Sequence, residues 1–281
     1  MARDPTRAGG AEDAGMSGPG AFAVIGPGRA GCTIAAALID AGWNLVGIAG
    51  GNPESASTRA AAERWDVPVG TAAEVVVGAS LVVIATPDRI IAEVAASIAE
   101  EVEASALVIH LSGAVPLAAL EKVVARIGAL HPLQTMSAFG VAPEILRGVW
   151  CATAGDPEVE VIATTLGMKP FNVLDTDRAR YHAAASIAAN HLVALTAQIE
   201  ATTDVPFEAF VPLMRTALDN VAMAGPSAAL TGPVARGDVD TVRIHLSAIP
   251  SSERAAYVVL ARRAAVLAGR DPDADFDGLL S

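Results

Sequence analysis

The stretch AFAVIGPGRAG, residues Ala21–Gly31, decides the fold of this chain. Small and apolar residues lead into the turn Gly26-Pro27-Gly28-Arg29-Ala30-Gly31, and the helix-like run CTIAAALIDAG follows. A strand, a glycine turn and a helix in this order are typical of a dinucleotide-binding unit. We expect Gly26 to allow the tight turn, Gly28 to leave room for a pyrophosphate, and Gly31 to let the helix close on the strand. The helix N-terminus would attract the phosphates; the alternative is a turn with a structural role only.

The composition narrows the class of protein. The chain has 281 residues, 52% of them hydrophobic, which is enough for a large core and for two domains. A formal net charge of −12 without a basic block argues against nucleic acid and anionic membranes as partners. We find no apolar run long enough to span a membrane and no cluster with metal-ligand spacing. Two cysteines, Cys32 and Cys151, favour a reducing compartment, so we expect a cytoplasmic protein.

The residues after the second predicted strand, Asn44–Gly50, bear on the choice of cofactor. An acidic residue at the end of this strand would bind the ribose of NAD. The strand ends without one, and Asn52, Ser57 and Arg59 follow, which favours the 2′-phosphate of NADP over NAD. Two alternatives stay open: Glu54 could reach a ribose, and Ser57 and Arg59 could simply form the solvated first turn of a helix.

Further along the chain, buried-strand patterns alternate with helical ones and then give way to helices alone. We therefore predict an α/β fold, a Rossmann-type doubly wound sheet followed by an all-helical C-terminal domain. The boundaries are a disordered tail at 1–19, a dinucleotide-binding domain at 20–176 and a helical domain at 177–281. Predicted strands are Val67–Thr71, Ser80–Ala85, Ala106–Leu111, Ile127–Leu130, Gly148–Ala154 and Pro170–Leu174. Predicted helices are Ile90–Val102, Val159–Gly167, Ala209–Ala222, Val239–Ser247 and Glu253–Ala268, and the acidic end 271–281 is expected to fray.

Polar residues follow three of these strands, at the point where each strand ends. Thr86 and Pro87 come after the first, Ser112 after the second, and His131 after the third. The carboxyl ends of parallel strands share one edge of the sheet, and ligands of open α/β folds bind there. The pattern predicts a site at this edge, although each residue alone could be a turn former or a helix cap.

The helical domain offers two further groups of polar residues. His182, Ser186 and Asn190 are spaced by four, so they share one stripe of a helix that is otherwise rich in Ala and Ile. They indicate either a buried hydrogen-bond network or a polar wall facing a ligand. Arg236 lies in the tight loop LTGPVARGD, where it could clamp a substrate carboxylate or could be a plain surface charge with Asp238 as a helix cap.

Several separated motifs then coincide: GPGRAG, ATPD, HLSG, HPLQT, YHAAASIAANH and LTGPVARGD. Over residues 20–265 the chain resembles a family of Rossmann-like proteins whose helical C-terminal domain was long of unknown function. The architecture is similar to that of 6-phosphogluconate dehydrogenase, pyrroline-5-carboxylate reductase and ketopantoate reductase. Some family members act as alternative ketopantoate reductases in pantothenate synthesis, and the resemblance implies that activity here. In related enzymes a lysine precedes the asparagine by four residues; matched onto Asn190, that position is Ser186, so the usual acid is missing.

The expected reaction is hydride transfer from NADPH to the carbonyl carbon of a small 2-oxo acid. His182 is our first choice for the proton donor and His131 competes with it, because an ordinary imidazole donates near neutral pH. Asn190 would bind the carbonyl or a hydroxyl, Arg236 the carboxylate, and Ser112 would lie beside the nicotinamide.

Two other functions remain open. One is an imine or other carbonyl reductase of the pyrroline-5-carboxylate reductase type, and the other is a non-enzymatic NADP-binding regulatory protein. We also expect a homodimer, because helical second domains in the resembled families associate through their helices.

Overall fold

The computed structural model describes residues 19–136 and 143–281 of the chain. Apart from Pro19, the predicted tail lies outside the described residues. The chain divides into two compact units, the first ending at Ser186 and the second running from Ile187 to Ser281. The helix that we assigned to the second domain from residue 177 therefore belongs, by its contacts, to the first unit as far as Ser186.

The first unit alternates strands and helices from its start. Among its described residues the elements are β1 (Ala21–Ile25), α1 (Arg29–Asp40), β2 (Asn44–Ala49), α2 (Ala56–Trp65), α3 (Ala72–Val75), β3 (Leu81–Ile84), α4 (Ile91–Ser97), β4 (Leu107–His110), β5 (Arg126–Pro132), β6 (Trp150–Gly155), α5 (Glu158–Thr165), β7 (Lys169–Asn172) and α6 (Arg178–Ser186). Short 3₁₀ turns connect several of them.

The strands form one sheet in the order β2-β1-β3-β4-β5-β6-β7. Every neighbouring pair is parallel except β5 and β6, which are antiparallel. This arrangement confirms the predicted Rossmann-type sheet, with the carboxyl ends of β1, β3, β4 and β5 at one edge.

The predicted strand Val67–Thr71 is wrong, because within it only Val69 forms a bridge, to Ile48 of β2. Pro68 has no N–H to donate to a ladder. Thr71 is already the N-cap of α3, and its side chain accepts a hydrogen bond from the N–H of Glu74. The segment thus occupies the place of a strand beside β2 without room for more than one bridge.

The sheet is buried on both faces, as its apolar strands require. On one face, side chains of β1, β3 and β4 pack with α1 and α5; on the other, the alternate side chains pack with α3 and α4. The first set includes Phe22, Val24, Leu81, Val83, Leu107 and Ile109, and the second includes Ala23, Ile25, Val82, Ile84 and Val108. The fold is therefore doubly wound, as predicted.

Helix α4 is shorter than the predicted helix Ile90–Val102, since it ends at Ser97. The hydroxyl of Ser97 donates to the carbonyl of Val94 at 2.8 Å, and the N–H of Ile98 donates to Ala95, only three residues back. These local bonds close the last turn and replace the continuing helical ladder.

The described residues of the second unit form helices joined by turns, and no strand. It begins with a π-helical turn, Ile187–His191. The helices that follow are α7 (Leu192–Thr202), α8 (Val211–Ala224), α9 (Pro226–Ala229), α10 (Pro233–Arg236), α11 (Val239–Ala248) and α12 (Arg254–Leu267). The predicted helices at 209–222, 239–247 and 253–268 are confirmed with small shifts of their ends.

The acidic C-terminal end is ordered, so the expectation of fraying is wrong. Phe276 and Leu280 are fully buried and pack with Val242 and Ala265 in a small core of the second unit. Arg262 holds the segment by donating to the carboxylate of Asp273 and to the backbone carbonyl of Leu280. In the part of the chain that is described, no helix is long and apolar enough to cross a membrane.

Candidate functional site

The glycine turn between β1 and α1 has the geometry that its sequence predicts. Gly26 has a φ of +95°, and a Cβ there would come within 2.7 Å of the backbone carbonyl of Ala85. A Cβ on Gly31 would collide with the carbonyl oxygen of Gly26, so only glycine lets helix and strand come this close. At Gly28 a Cβ would meet no atom within 4 Å. The turn is therefore closely packed at Gly26 and Gly31 and open at Gly28, which leaves its backbone accessible to a phosphate.

The start of helix α1 is suited to an anion. Its N-cap, Gly28, offers no side-chain hydrogen bond, and the first turn carries no acidic residue. The unpaired N–H groups at the start of α1, and the dipole of this 12-residue helix, are therefore free to interact with an anion. At the neighbouring strand end, the hydroxyl oxygen of Thr86 is buried and has no partner among the described residues. Open backbone and an unpartnered buried hydroxyl together fit a dinucleotide.

The three candidates for the 2′-phosphate lie together around the start of α2. Asn52 accepts a hydrogen bond from the N–H of Glu54 at 2.9 Å, and the hydroxyl of Ser57 lies 3.2 Å from that of Ser55, the N-cap. Arg59 forms an ion pair with Glu54 at 3.2 Å, and both side chains are exposed. An exposed pair of this kind contributes little to stability, so Arg59 could exchange its carboxylate for a phosphate.

At the carboxyl edge of the sheet the structure brings His131, at the end of β5, against helix α6. The Nδ1 atom of His131 lies 2.8 Å from the hydroxyl of Tyr181. The rings of His131 and His182 are 5.9 Å apart and nearly perpendicular. Gly113, which follows β4, lies against both: a Cβ there would come within 2.9 Å of His131 Nε2 and of His182 Cδ2.

A buried positive charge lies beneath this group. Arg178, in the first turn of α6, is 1% exposed, and its Nη2 donates to the backbone carbonyl of Ser112 at 2.5 Å. Its Nε and Nη1 atoms are buried and have no partner among the described residues. The hydroxyl of Ser112 accepts from the N–H groups of Ala114 and Val115, which shapes the loop after β4.

Burial changes the acidity of the nearby groups. Burial, with the charges of His182 and Arg178, lowers the pKa of His131 to about 4, although Asp88 opposes the shift. Burial, helped by Arg178, lowers the pKa of His110 to about 3. The expectation of an ordinary imidazole pKa is therefore wrong for His131, which is neutral at pH 7. Burial also raises the pKa of Tyr181 to about 12.

Four residues of this region escaped the sequence analysis as site candidates: His110, Gly113, Arg178 and Tyr181. One signal was present, because Arg178, Tyr181 and His182 are spaced by three and four and so share a helix face. That face meets the strand ends, where His131 and Gly113 lie. Ser186 is the last residue of α6.

Two predicted residues lie in the second unit. Asn190 is on the π-helical turn, a feature that often occurs at functional sites. Arg236 is exposed at the end of α10. Asp238 caps α11 by accepting from the N–H of Thr241, as its alternative interpretation predicted, and this bonding lowers its pKa.

Comparison with known families supports this description in two parts. Residues 5–135 match the model of a Rossmann-like domain. Residues 149–264 match the model of a domain of unknown function, DUF2520. No protein with a curated description matches the sequence significantly.

Solved structures extend the likeness over most of the chain. The chain is 25% identical to a proposed NADP oxidoreductase, BF3122, from Bacteroides fragilis, with a TM-score of 0.77 over 88% of this chain and 98% of that one. Protein TM1727 from Thermotoga maritima is 23% identical, with a TM-score of 0.68 over 88% of this chain and 98% of that one. Pyrroline carboxylate reductase from Plasmodium falciparum, solved with NADP bound, is 14% identical, with a TM-score of 0.58 over 92% and 98%. The last two show the fold alone.

The class follows from the fold, the glycine turn and these comparisons. The chain has the Rossmann-like fold of NADP-dependent oxidoreductases, followed by a helical C-terminal domain. The likeness supports binding of a nicotinamide cofactor.

Proposed function

We propose that this protein is an NADPH-dependent reductase of a small 2-oxo acid, with 2-ketopantoate as the best candidate, reduced to pantoate. The resemblance of its motifs to alternative ketopantoate reductases supports the substrate. The observation that carries the proposal is a cluster at the sheet edge, in which His131 and His182 lie against Gly113. Tyr181 bonds His131, and the buried guanidinium of Arg178 bonds the carbonyl of Ser112.

The positive charge suits both the substrate and the reaction. A 2-oxo acid is an anion, and its carbonyl oxygen gains negative charge as the hydride arrives. The described residues form no ion pair with Arg178, although Asp175 and Asp88 lie near enough to raise its pKa while burial lowers it. An incompletely compensated cation in a low-dielectric setting stabilises such charge more than it would in water.

NADPH supplies the hydride when it is bound. The glycine turn would hold its phosphates, and Asn52, Ser57 and Arg59 its 2′-phosphate. Thr86, Pro87 and Ser112 would flank the nicotinamide ring at the ends of β3 and β4.

The remaining groups would act on the substrate. His182 would donate the proton to the new hydroxyl group. From the second unit, Asn190 would bind the carbonyl or a hydroxyl, and Arg236 the carboxylate. Ser186 takes the position of the lysine found in related enzymes, so the proton must come from another group. Because burial lowers the pKa of His131, the proposal assigns proton donation to His182.

The test is steady-state oxidation of NADPH with 2-ketopantoate and a panel of other 2-oxo acids. We expect His182→Ala and Asn190→Ala each to lower kcat/KM by about 100-fold. Arg180→Ala is the matched control, because Arg180 is an exposed residue of the same helix that forms an ion pair with Asp177. Unchanged turnover in both test variants would remove these residues from catalysis, and failure of every 2-oxo acid would overturn the reductase.

The same assay separates the alternatives. Turnover of pyrroline-5-carboxylate instead of 2-oxo acids would favour an imine reductase, to which the fold likeness to the Plasmodium falciparum enzyme also points. NADPH binding without turnover of any substrate would favour a regulatory protein.

We further propose a homodimer formed through the second unit, in the cytoplasm. Helix α8 has no buried residue, and along it Leu213 is 68% and Met223 86% exposed. Apolar side chains exposed to this extent along one helix are typical of an interaction surface.

A further inference from the structure

We propose that Tyr181 is a positioning residue that holds His131 in its Nε2-protonated form. The Nε2–H group, beside Gly113, would then donate a hydrogen bond to the substrate oxygen that gains negative charge. The choice of tautomer rests on this structure alone, whereas the identity of the oxygen rests on the proposed function.

The first step is the direction of the hydrogen bond between the two side chains. The hydroxyl of Tyr181 lies 2.8 Å from His131 Nδ1. A phenol O–H is a much stronger acid than the N–H of a neutral imidazole, and an imidazole nitrogen is a much better acceptor than a phenol oxygen. Tyr181 therefore donates, Nδ1 accepts, and the single ring proton of His131 stays on Nε2.

The second step is that the phenol is held in place. The ring of Phe171 packs edge-on against Tyr181 with centroids 5.8 Å apart, and Trp150 packs in the same manner against Phe171 at 6.0 Å. Tyr181 also meets the His131 ring at 88°. A side chain supported from β6 and β7 cannot easily swing away, so the hydroxyl is a fixed donor.

The third step is where His131 Nε2 points. A Cβ on Gly113 would come within 2.9 Å of this nitrogen and of His182 Cδ2. The backbone of Gly113 does not need a positive φ, so glycine is required here because the two imidazole rings approach its backbone closely. The Nε2–H group thus lies next to Gly113 at the carboxyl edge of the sheet, where ligands of this fold bind.

The fourth step is that His131 stays neutral. Helix α6 presents Arg178, Tyr181 and His182 to it. The sheet adds His110 of β4 and the thiol of Cys151 on β6, and Asp88 follows β3. Burial, His182 and Arg178 together outweigh Asp88 and lower the pKa of His131. A neutral imidazole can stabilise an oxyanion by hydrogen bonding while His182 transfers the proton.

The experiment is ¹⁵N NMR of the full chain labelled at histidine, with wild type compared with Tyr181→Phe. In the wild type we expect the shift of a protonated nitrogen at Nε2 of His131 and that of an unprotonated nitrogen at Nδ1. Loss of the hydroxyl should let both tautomers form, so the two shifts should approach each other. In parallel, kcat should fall by about tenfold while KM changes little, since the ring and its packing remain.

The chain offers a matched control in Tyr257→Phe. Tyr257 bonds His245 Nδ1 at 2.9 Å in the second unit, with the same ring geometry. This variant should change the shifts of His245, leave those of His131 unaltered and leave kcat unchanged.

The outcomes test separately the tautomer of His131 and its catalytic role. A wild-type His131 protonated on Nδ1 would overturn it, whatever the protein reduces. An Nε2-protonated ring with an unchanged kcat in Tyr181→Phe would overturn the catalytic role. If no 2-oxo acid were reduced, the proposed function and that role would fail together, and the nitrogen shifts would still decide the tautomer.

Discussion

In each of the two units a described histidine is bonded through Nδ1 to a tyrosine hydroxyl, and the two pairs have similar bond lengths and ring angles. The first, His131 and Tyr181, has a bond of 2.8 Å and rings at 88°. The second, His245 and Tyr257, has a bond of 2.9 Å and rings at 89°. The difference lies around them, because only the first pair adjoins a second imidazole, a buried guanidinium and the open edge of a parallel sheet.

The comparison shows that a histidine–tyrosine bond does not by itself make a site. His245 and Tyr257 lie one on each of two packed helices, where the bond satisfies two half-buried polar groups. His131 and Tyr181 join a strand end to a helix, and the buried guanidinium of Arg178 lies close by, bonded to the carbonyl of Ser112. Substitutions of the residues around the first pair should therefore affect that pair and not the second.

The largest expected effect concerns His110, the buried histidine next to the first pair. Burial lowers its pKa to about 3, whereas an unfolded chain binds the proton near pH 6.5. The folded-state pKa is the lower one, so stability is fully present above pH 6.5 and is lost as the pH falls. The unfolding free energy should decrease by about 1.4 kcal/mol per pH unit through this group.

Urea denaturation between pH 7.5 and pH 4, compared with His110→Asn, measures this contribution. In the wild type the N–H of Ser112 donates to His110 Nδ1 at 3.2 Å. The side-chain oxygen of asparagine can accept the same hydrogen bond. We expect the advantage of the wild type to be constant above pH 7 and to shrink below it. Parallel curves for the two proteins would contradict the lowered pKa.

The sequence was enough to predict the sheet edge but not what lies against it. Strands β3 and β4 are short continuous apolar runs, so their ends, and hence Thr86 and Ser112, could be located from the pattern alone. Arg178 and Tyr181 depend on a tertiary contact between α6 and strands far away in the sequence. Helical spacing gives a face, but it does not say what that face meets.

The wrong strand at Val67–Thr71 and the wrong expectation of a frayed C-terminal end have different causes. The segment around Val69 has strand propensity, yet two local features, Pro68 and the helix cap at Thr71, leave it one bridge. The C-terminal end has an acidic sequence typical of a solvated segment, yet Phe276 and Leu280 complete a core that Arg262 helps to close. Only in the second case does long-range packing outweigh the local pattern.

The second largest effect is expected from a substitution at Gly113, against which both imidazole rings pack. In Gly113→Ala the new Cβ would lie 2.9 Å from atoms of both imidazole rings, so at least one ring must move. We expect kcat/KM to fall by about 100-fold, since a displacement of about 1 Å near the reacting atoms has that effect. Binding of NADPH, measured by fluorescence titration, should change much less. An active Gly113→Ala would show that the close packing of the two imidazole rings against Gly113 has no role.

A smaller effect should come from the second unit, where the proposed role is association. Leu213→Glu places a charge on the exposed apolar face of α8, and we expect the dimer to dissociate at least about tenfold more readily. Light scattering after size-exclusion chromatography measures this. Val124→Glu is the matched control, because Val124 is an exposed apolar residue of the first unit, at 80% against 68% for Leu213. A monomeric wild type would refute the dimer.

The smallest effect should come from Arg59, which contrasts with the other guanidinium of the first unit. Arg178 is buried and forms no ion pair with any described residue, whereas Arg59 is exposed and paired with Glu54. Because water screens the exposed group, its loss should be modest: in Arg59→Ala we expect KM for NADPH to rise about fivefold and KM for NADH to stay the same. Arg64→Ala, on the same helix, should change neither value. A parallel rise for both cofactors in Arg59→Ala would mean that Arg59 does not read the 2′-phosphate, and Glu54 would then be the candidate for binding the ribose.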